Sequence, residues 1–322
     1  MNINSETNDN ITKPKPFRSY DEQIQILKDH NLIIEDETEA RDFLLKNNYY
    51  RLKGYFSPHQ ENNMFLPNVT FHFLVEIYNF DRCLRSLLMN YIEIAEVTVK
   101  TAYSNKFAEI HGPTDYYNPI HFSDTSTQKK ILDILEAKIE IQKPYEKYIF
   151  HYTDELHQAL PIWAIMDLLS IGNLQALYDA TEPGVQRLVA EELGFFFNFA
   201  ESTLNNLLNN LRILRNRCAH NSRLYARLFR QQPTVPKTAY QFMLKDKAGN
   251  PENHYLFGFF FVVGRFLTQE QFSDMFYDLL RIHSTYPTVN LKYYGIPDNF
   301  QEVVPTIIEM GPHLKNKPKQ KP

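Results

Sequence analysis

From Phe71 onward, apolar residues recur at the helical period. Leu74, Ile77, Leu84, Leu87, Leu88, Tyr91, Ile94, Ala95 and Val99 follow a spacing near 3.6. They predict one long helix reaching towards Ile110 and ended by Gly112-Pro113. Two short helical patterns precede it, Tyr20 to His30 and Asp36 to Lys46, the second with Thr38 and nearby acids as caps. Tyr55 to Phe65, with Pro58 and a polar centre, reads as a small hairpin or loop. Beyond the long helix, residues 111–125 read as loop. Helical spacing returns at Gln128–Gln142, from about Pro161 to Ala180 with Gly172 interrupting, and at Gly184–Leu193. A further helix is expected from about Asn198 to Arg230, with Asn198 as N-cap and Glu201 completing a capping box. Segments at 254–267, 269–283 and 300–309 close the series. The expected fold class is all-α, with little strand and no internal repeat.

Composition narrows this picture. At 322 residues the chain can build a large core and two or three subdomains. Only 10 glycines, and no GxGxxG or GxxxxGK[ST], argue against a nucleotide-binding sheet protein. Cys83 and Cys218 form neither a CxxC metal motif nor a disulfide framework, so a reducing cytoplasm is the expected compartment. The polar N-terminus lacks a signal peptide's apolar core. The greasiest run, Tyr255–Leu267, is short for a membrane span and carries Arg265, so a buried helix is expected there.

Charge then singles out one segment. The net charge is −4, yet six arginines and no Asp or Glu lie between Leu211 and Arg230. Within it, Arg215, Asn216 and His220 form a phosphate-handling set. Asn216 and His220 stand at i,i+4 on a common helix face. Arg215 and His220 are about 140° apart around a helix, and only a side chain as long as Arg brings both to one point. A His passes protons near neutral pH, and an Arg braces a phosphate as charge develops. The pair suits metal-free RNA cleavage, in which the 2′-OH attacks the adjacent phosphate. That reaction needs an acid and a base, and one His per chain points to a homodimer with two facing motifs. Arg212, Arg217 and Arg223 are candidate RNA contacts. An isolated Arg-x4-His spacing equally fits a basic, solvated helix face with an incidental His.

Four segments carry a resemblance. NYYRLKGY at 48–55, IYNFDRCLRSLL at 77–88, LPIWAIMDLLSIGNLQALY at 160–178 and LRNRCAHNSRLY at 214–225 occur in this order. They resemble the Abi family of bacterial abortive-infection proteins, the AbiD/AbiF-like group, over about residues 18–300. The last segment resembles the R-x4-6-H motif of HEPN ribonucleases, including the polar residue after the Arg. The resemblance implies a HEPN-like helical bundle, RNase-type toxicity and phage defence, with a regulatory RNA or other antitoxin as partner. It implies His220 as general acid/base, Arg215 as phosphate stabiliser and Asn216 as positioning residue.

The expected organisation is a disordered 1–17, an N-terminal helical module at 18–66 that recognises RNA or regulates, a HEPN-like domain at 67–232, a C-terminal helical segment at 233–312 and a basic tail at 313–322. In the N-terminal module, Tyr50, Arg51 and Lys53 mix aromatic and basic groups as RNA-stacking surfaces do; an aromatic hinge fits equally. Glu96 and Lys100 read as an ion pair, Trp163 as core, Cys218 as a packing residue. His151, Asp154 and His157 lack a completing ligand, and His111 and His121 flank a loop without a clear partner. No metal, cofactor or membrane is expected. Two rival readings remain: an RNA-binding protein without catalysis, and a module that senses a phage component.

Overall fold

The computed structural model describes residues 16–196 and 200–311. The fold is all-α, with one tiny antiparallel hairpin among the described residues. It divides into two compact units, Met1–Tyr78 and Asn79–Pro322.

The first unit contains α1 (Tyr20–Asp29), α2 (Glu37–Asn47), the one-turn α3 (Tyr49–Lys53), strands β1 (Gln60–Glu61) and β2 (Met64–Phe65), and the opening of α4 (Phe71–His111). Ser19 and Glu22 close a reciprocal capping box on α1, satisfying two amides that have no partner within the helix. Asp36 caps α2 by accepting from the Thr38 and Glu39 amides at 2.8 and 3.1 Å, so the cap is Asp36 and not Thr38. Asn48, at φ +61°, ends α2 and starts α3; its side chain accepts from the Tyr50 amide. The hairpin turns on Asn62 and Asn63, both at positive φ, which suits the right-handed twist of paired strands. Edge-to-face contacts of Phe43 with Phe71 and Tyr78, and of Phe56 with Phe65, fill the unit's core.

The second unit begins within α4. After it come α5 (Thr125–Gln142), α6 (Lys147–Phe150), α7 (Ile162–Ile165), α8 (Ile171–Ala180), α9 (Pro183–Glu192), α10 (Ala200–Ala219), α11 (Phe257–Gly264), α12 (Gln269–Thr285) and α13 (Phe300–Met310). The organising element is α10. Leu204, Leu207, Leu208, Leu211, Leu214 and Cys218 make a buried stripe at helical spacing. It packs against α8, α9 and α11. Each buried leucine contributes about 1.5–3 kcal/mol relative to exposure. Every residue of α11 is buried, matching its uniformly apolar sequence, and among the described residues no helix is long and apolar enough to cross a membrane.

Three local expectations differ from the structure. The helix over 161–180 is two helices, because Ser170 and Asn173 form a capping box that restarts the chain at Ile171; Gly172 lies inside α8 and interrupts nothing. Trp163 is 52% exposed, since the single turn of α7 buries Ile162 and Ile165 and points their neighbour outward. The arginine-rich helix ends at Ala219, eleven residues before Arg230. The expected cap at Asn198 and the basic tail from 313 lie outside the described residues. The C-terminal helices belong to the same compact unit as α10, and the division between units falls inside α4.

Candidate functional site

The last turn of α10 closes in a Schellman motif. The His220 amide makes the final helical bond to the Asn216 carbonyl at 3.0 Å. Asn221 then adopts φ +53°, its amide bonding the Cys218 carbonyl, while the Ser222 amide reaches back to the Arg217 carbonyl at 2.8 Å. Asn tolerates this left-handed conformation better than most residues, which fixes the stop here. His220 therefore sits at the junction of helix and loop, exposed, after the half-buried Arg215 and Asn216. The side chains of Arg215, Asn216 and His220 make no hydrogen bond or ion pair among the described residues.

The loop that follows is anchored from α4. Asp81, wholly buried, accepts the backbone amides of Leu224 (3.2 Å) and Tyr225 (2.9 Å) and the Tyr294 hydroxyl (3.1 Å), and forms an ion pair with the equally buried Arg85. Arg85 also donates to the Ser222 carbonyl at 3.5 Å. A buried charge is tolerated only when paired and hydrogen-bonded, and Asp81 meets both conditions. Tyr225 packs against Tyr293 and Tyr294, and the Ala226 amide bonds the Tyr293 carbonyl. The segment just after His220 is thus clamped on two sides.

Arg212, Arg217 and Arg223 are held by the protein. Arg212 donates to Asn209 Oδ1 at 2.6 Å, and its stem runs across Gly172 on α8, where an added Cβ would come within 3.3 Å of it. Arg217 lies over the Phe229 ring at 5.4 Å; burial, then the neighbouring Arg227, lower its pKa from the ordinary value. Arg223 is half-buried and donates to the Tyr225 carbonyl at 2.8 Å. Cys218 is buried, and burial pushes its thiol up to about 12, which fits a packing residue and not a nucleophile.

In the first unit, Tyr50 is 66% exposed and Arg51 and Lys53 are exposed beside it on α3. Tyr50 and Lys53, with Phe17, Tyr20, Lys46 and Tyr49, line a cavity of about 1040 Å³; Arg51 does not. Arg18 and Arg41, on the same wall, are already paired with Glu22 and Asp21. Of the remaining candidates, Glu96 and Lys100 form an ion pair at 2.9 Å, His151 pairs with Glu155, and Asp154 with Lys143. His111 and His121, without an evident partner in sequence, each bond a carboxylate, Glu182 and Asp115 respectively.

Sequence reasoning overlooked the roles of Asp81, Arg85 and Tyr294 and read Gly172 only as a helix interruption. A signal for the first two exists: they fall on the same stripe as Leu74, Ile77, Leu84 and Leu88, and charges four residues apart on an apolar face announce a buried pair. One of the resembling segments therefore meets the fourth, 77–88 through Asp81 and Arg85, while 160–178 reaches earlier turns of α10, through Gly172 against the Arg212 stem and through Gln175, which donates to Asn205.

The family of Abi-like proteins matches this chain over residues 42–226, more than half of its 322 residues, and the chain belongs to that family. The matched region runs from α2 through the clamped loop at Tyr225. No curated protein and no solved structure matches.

Proposed function

We propose that this Abi-like protein is a HEPN-type, metal-independent endoribonuclease of abortive-infection defence. The observation that carries the reading is the contrast at the end of α10. Among the described residues Arg215, Asn216 and His220 make no side-chain hydrogen bond or ion pair, while Arg212 and Arg223 donate to protein acceptors and Arg217 lies over Phe229. An Arg in the last turns of α10 and a His just past its end, neither engaged among the described residues and both on a backbone held by a Schellman motif and by Asp81, are groups positioned for an external ligand. In this reading His220 transfers the proton, Arg215 stabilises the charge on the phosphate, and Asn216 orients the substrate. Arg212, Arg217 and Arg223 shape the electrostatics around the strand more than they contact it. A second chain supplies the complementary acid or base, so the active species is a homodimer. The N-terminal module recognises RNA or regulates cleavage, with an RNA or protein antitoxin holding the enzyme silent.

The aromatic and basic wall formed by Tyr50, Lys46 and Lys53 supports a second reading, an RNA-binding protein without catalysis. One experiment separates the two. Wild type and His220→Ala are compared on labelled RNA in EDTA, with product ends identified. Cleavage by wild type alone, leaving 2′,3′-cyclic phosphates, is the expected result. Equal cleavage by both removes His220 from the chemistry. Tight binding without cleavage by either supports the binding reading.

A further inference from the structure

Away from the arginine motif, a second cluster has the composition of a metal site. His111 closes α4, His121 lies in the 3₁₀ turn after it, and Glu182 precedes α9. Their ligand atoms all lie within 4.8 Å of one another. The two imidazoles stack at 3.7 Å between centroids, and their side chains are only 12% and 15% exposed. The ring nitrogen Nε2 of His111 meets Glu182 Oε1 at 2.7 Å, and Asp115 bonds the His121 ring at 2.6 Å and orients it. Among the described residues no other group of three such side chains comes this close.

The frame around the cluster is built largely from backbone bonds. The Glu182 amide bonds the His121 carbonyl at 3.0 Å, Phe122 bridges Thr181, and the Asp124 amide bonds the Ala180 carbonyl. The Tyr103 hydroxyl meets Thr181 at 2.8 Å, and Phe107 packs against both histidine rings. The ligands are therefore preorganised by backbone. Two ligands about 2 Å from one zinc ion at the tetrahedral angle stand about 3.3 Å apart, so an ion would open the His111–Glu182 contact and turn the two stacked rings until their in-plane lone pairs converge.

We propose that His111, His121 and Glu182 bind a divalent transition ion of the zinc type. Two imidazoles and a carboxylate are the donor set such ions prefer, and calcium or magnesium would not choose it. The ion would tie the end of α4 to the turn joining α8 and α9, both of which pack on α10. This inference does not rest on the ribonuclease reading, because its readout is ion binding.

The test uses the full chain, stripped of metal and titrated with Zn²⁺ by calorimetry, with Co²⁺ absorption as a second probe. The expected result is one equivalent bound by wild type and by the control His151→Ala. Affinity falls at least tenfold in Glu182→Gln, which keeps a hydrogen-bonding group beside His111, and binding is lost in His111→Ala/His121→Ala. Glu182→Gln keeps the test decisive should the double variant not fold. Absence of a stoichiometric site in wild type, or equal affinity in Glu182→Gln, overturns the proposal.

Discussion

Asp81 accepts the backbone amide of Tyr225 at 2.9 Å across 144 positions of sequence, and by that bond the long helix α4 sets the course of the chain just beyond His220. The carboxylate holds two amides, a hydroxyl and a guanidinium together in the core.

Removing it strands all of them. Asp81→Ala is expected to cost about 3–5 kcal/mol, because an unpaired Arg85 is left buried with two unsatisfied amides. Asp81→Ala/Arg85→Leu is expected to cost less than the sum of the single changes. Urea midpoints of the four proteins in a double-mutant cycle check this; additivity would show that the two residues act independently.

Asn221 isolates the helix stop. At φ +53° an alanine is strained and a glycine is not, while both lose the same side chain. Asn221→Ala is expected to be less stable than Asn221→Gly by roughly 1 kcal/mol in thermal unfolding. Equal stability of the two would mean that the backbone relaxes out of the left-handed region.

The two cysteines differ in reactivity. Cys83 is half-buried, whereas Cys218 is buried with its thiol pushed up to about 12. Iodoacetamide at pH 8 is expected to label Cys83 in the native protein and Cys218 only after unfolding, as read by peptide mass. Cys218→Ala should leave any RNA cleavage intact.

Acid acts on the first unit through two histidines of opposite sign. Burial lowers the pKa of His59, so below about 6.5 the unfolded chain takes up its proton first and stability is lost as pH falls. The hydrogen bond that the charged His72 ring donates to Glu39 raises the pKa of His72, whose contribution is present below about 6.5 and lost as pH rises through the raised value. Between pH 7.5 and 5.5, His59→Gln is expected to lose less stability than wild type and His72→Gln more. The reverse order in urea midpoints would refute both assignments.

The pattern of apolar residues locates the long helix and the sequence-distant leucine stripe well, since both are periodic and long. It misplaces the end of α10, because Leu224, Tyr225 and Phe229 continue an apolar rhythm that helices share. What stops the helix is the left-handed Asn221 with its Schellman bonds, and Asp81 then holds the amides of Leu224 and Tyr225 in the loop. Trp163 is misread for a similar reason, as a single turn has no room to bury three large side chains. The residues of the arginine motif are legible as a spacing. Which of them the protein itself engages depends on Gly172, Asn209 and Phe229, none of which the spacing names.

The all-apolar α11 has a consequence for the chain's birth. Phe257, Phe260 and Phe261 are covered by Phe276 and Phe300, residues that leave the ribosome after them. Until those arrive, a greasy segment without a single charge waits in water beside α10. The packing around α11 is therefore completed late, and a nascent chain cut short before Phe300 would be drawn to aggregation or chaperones.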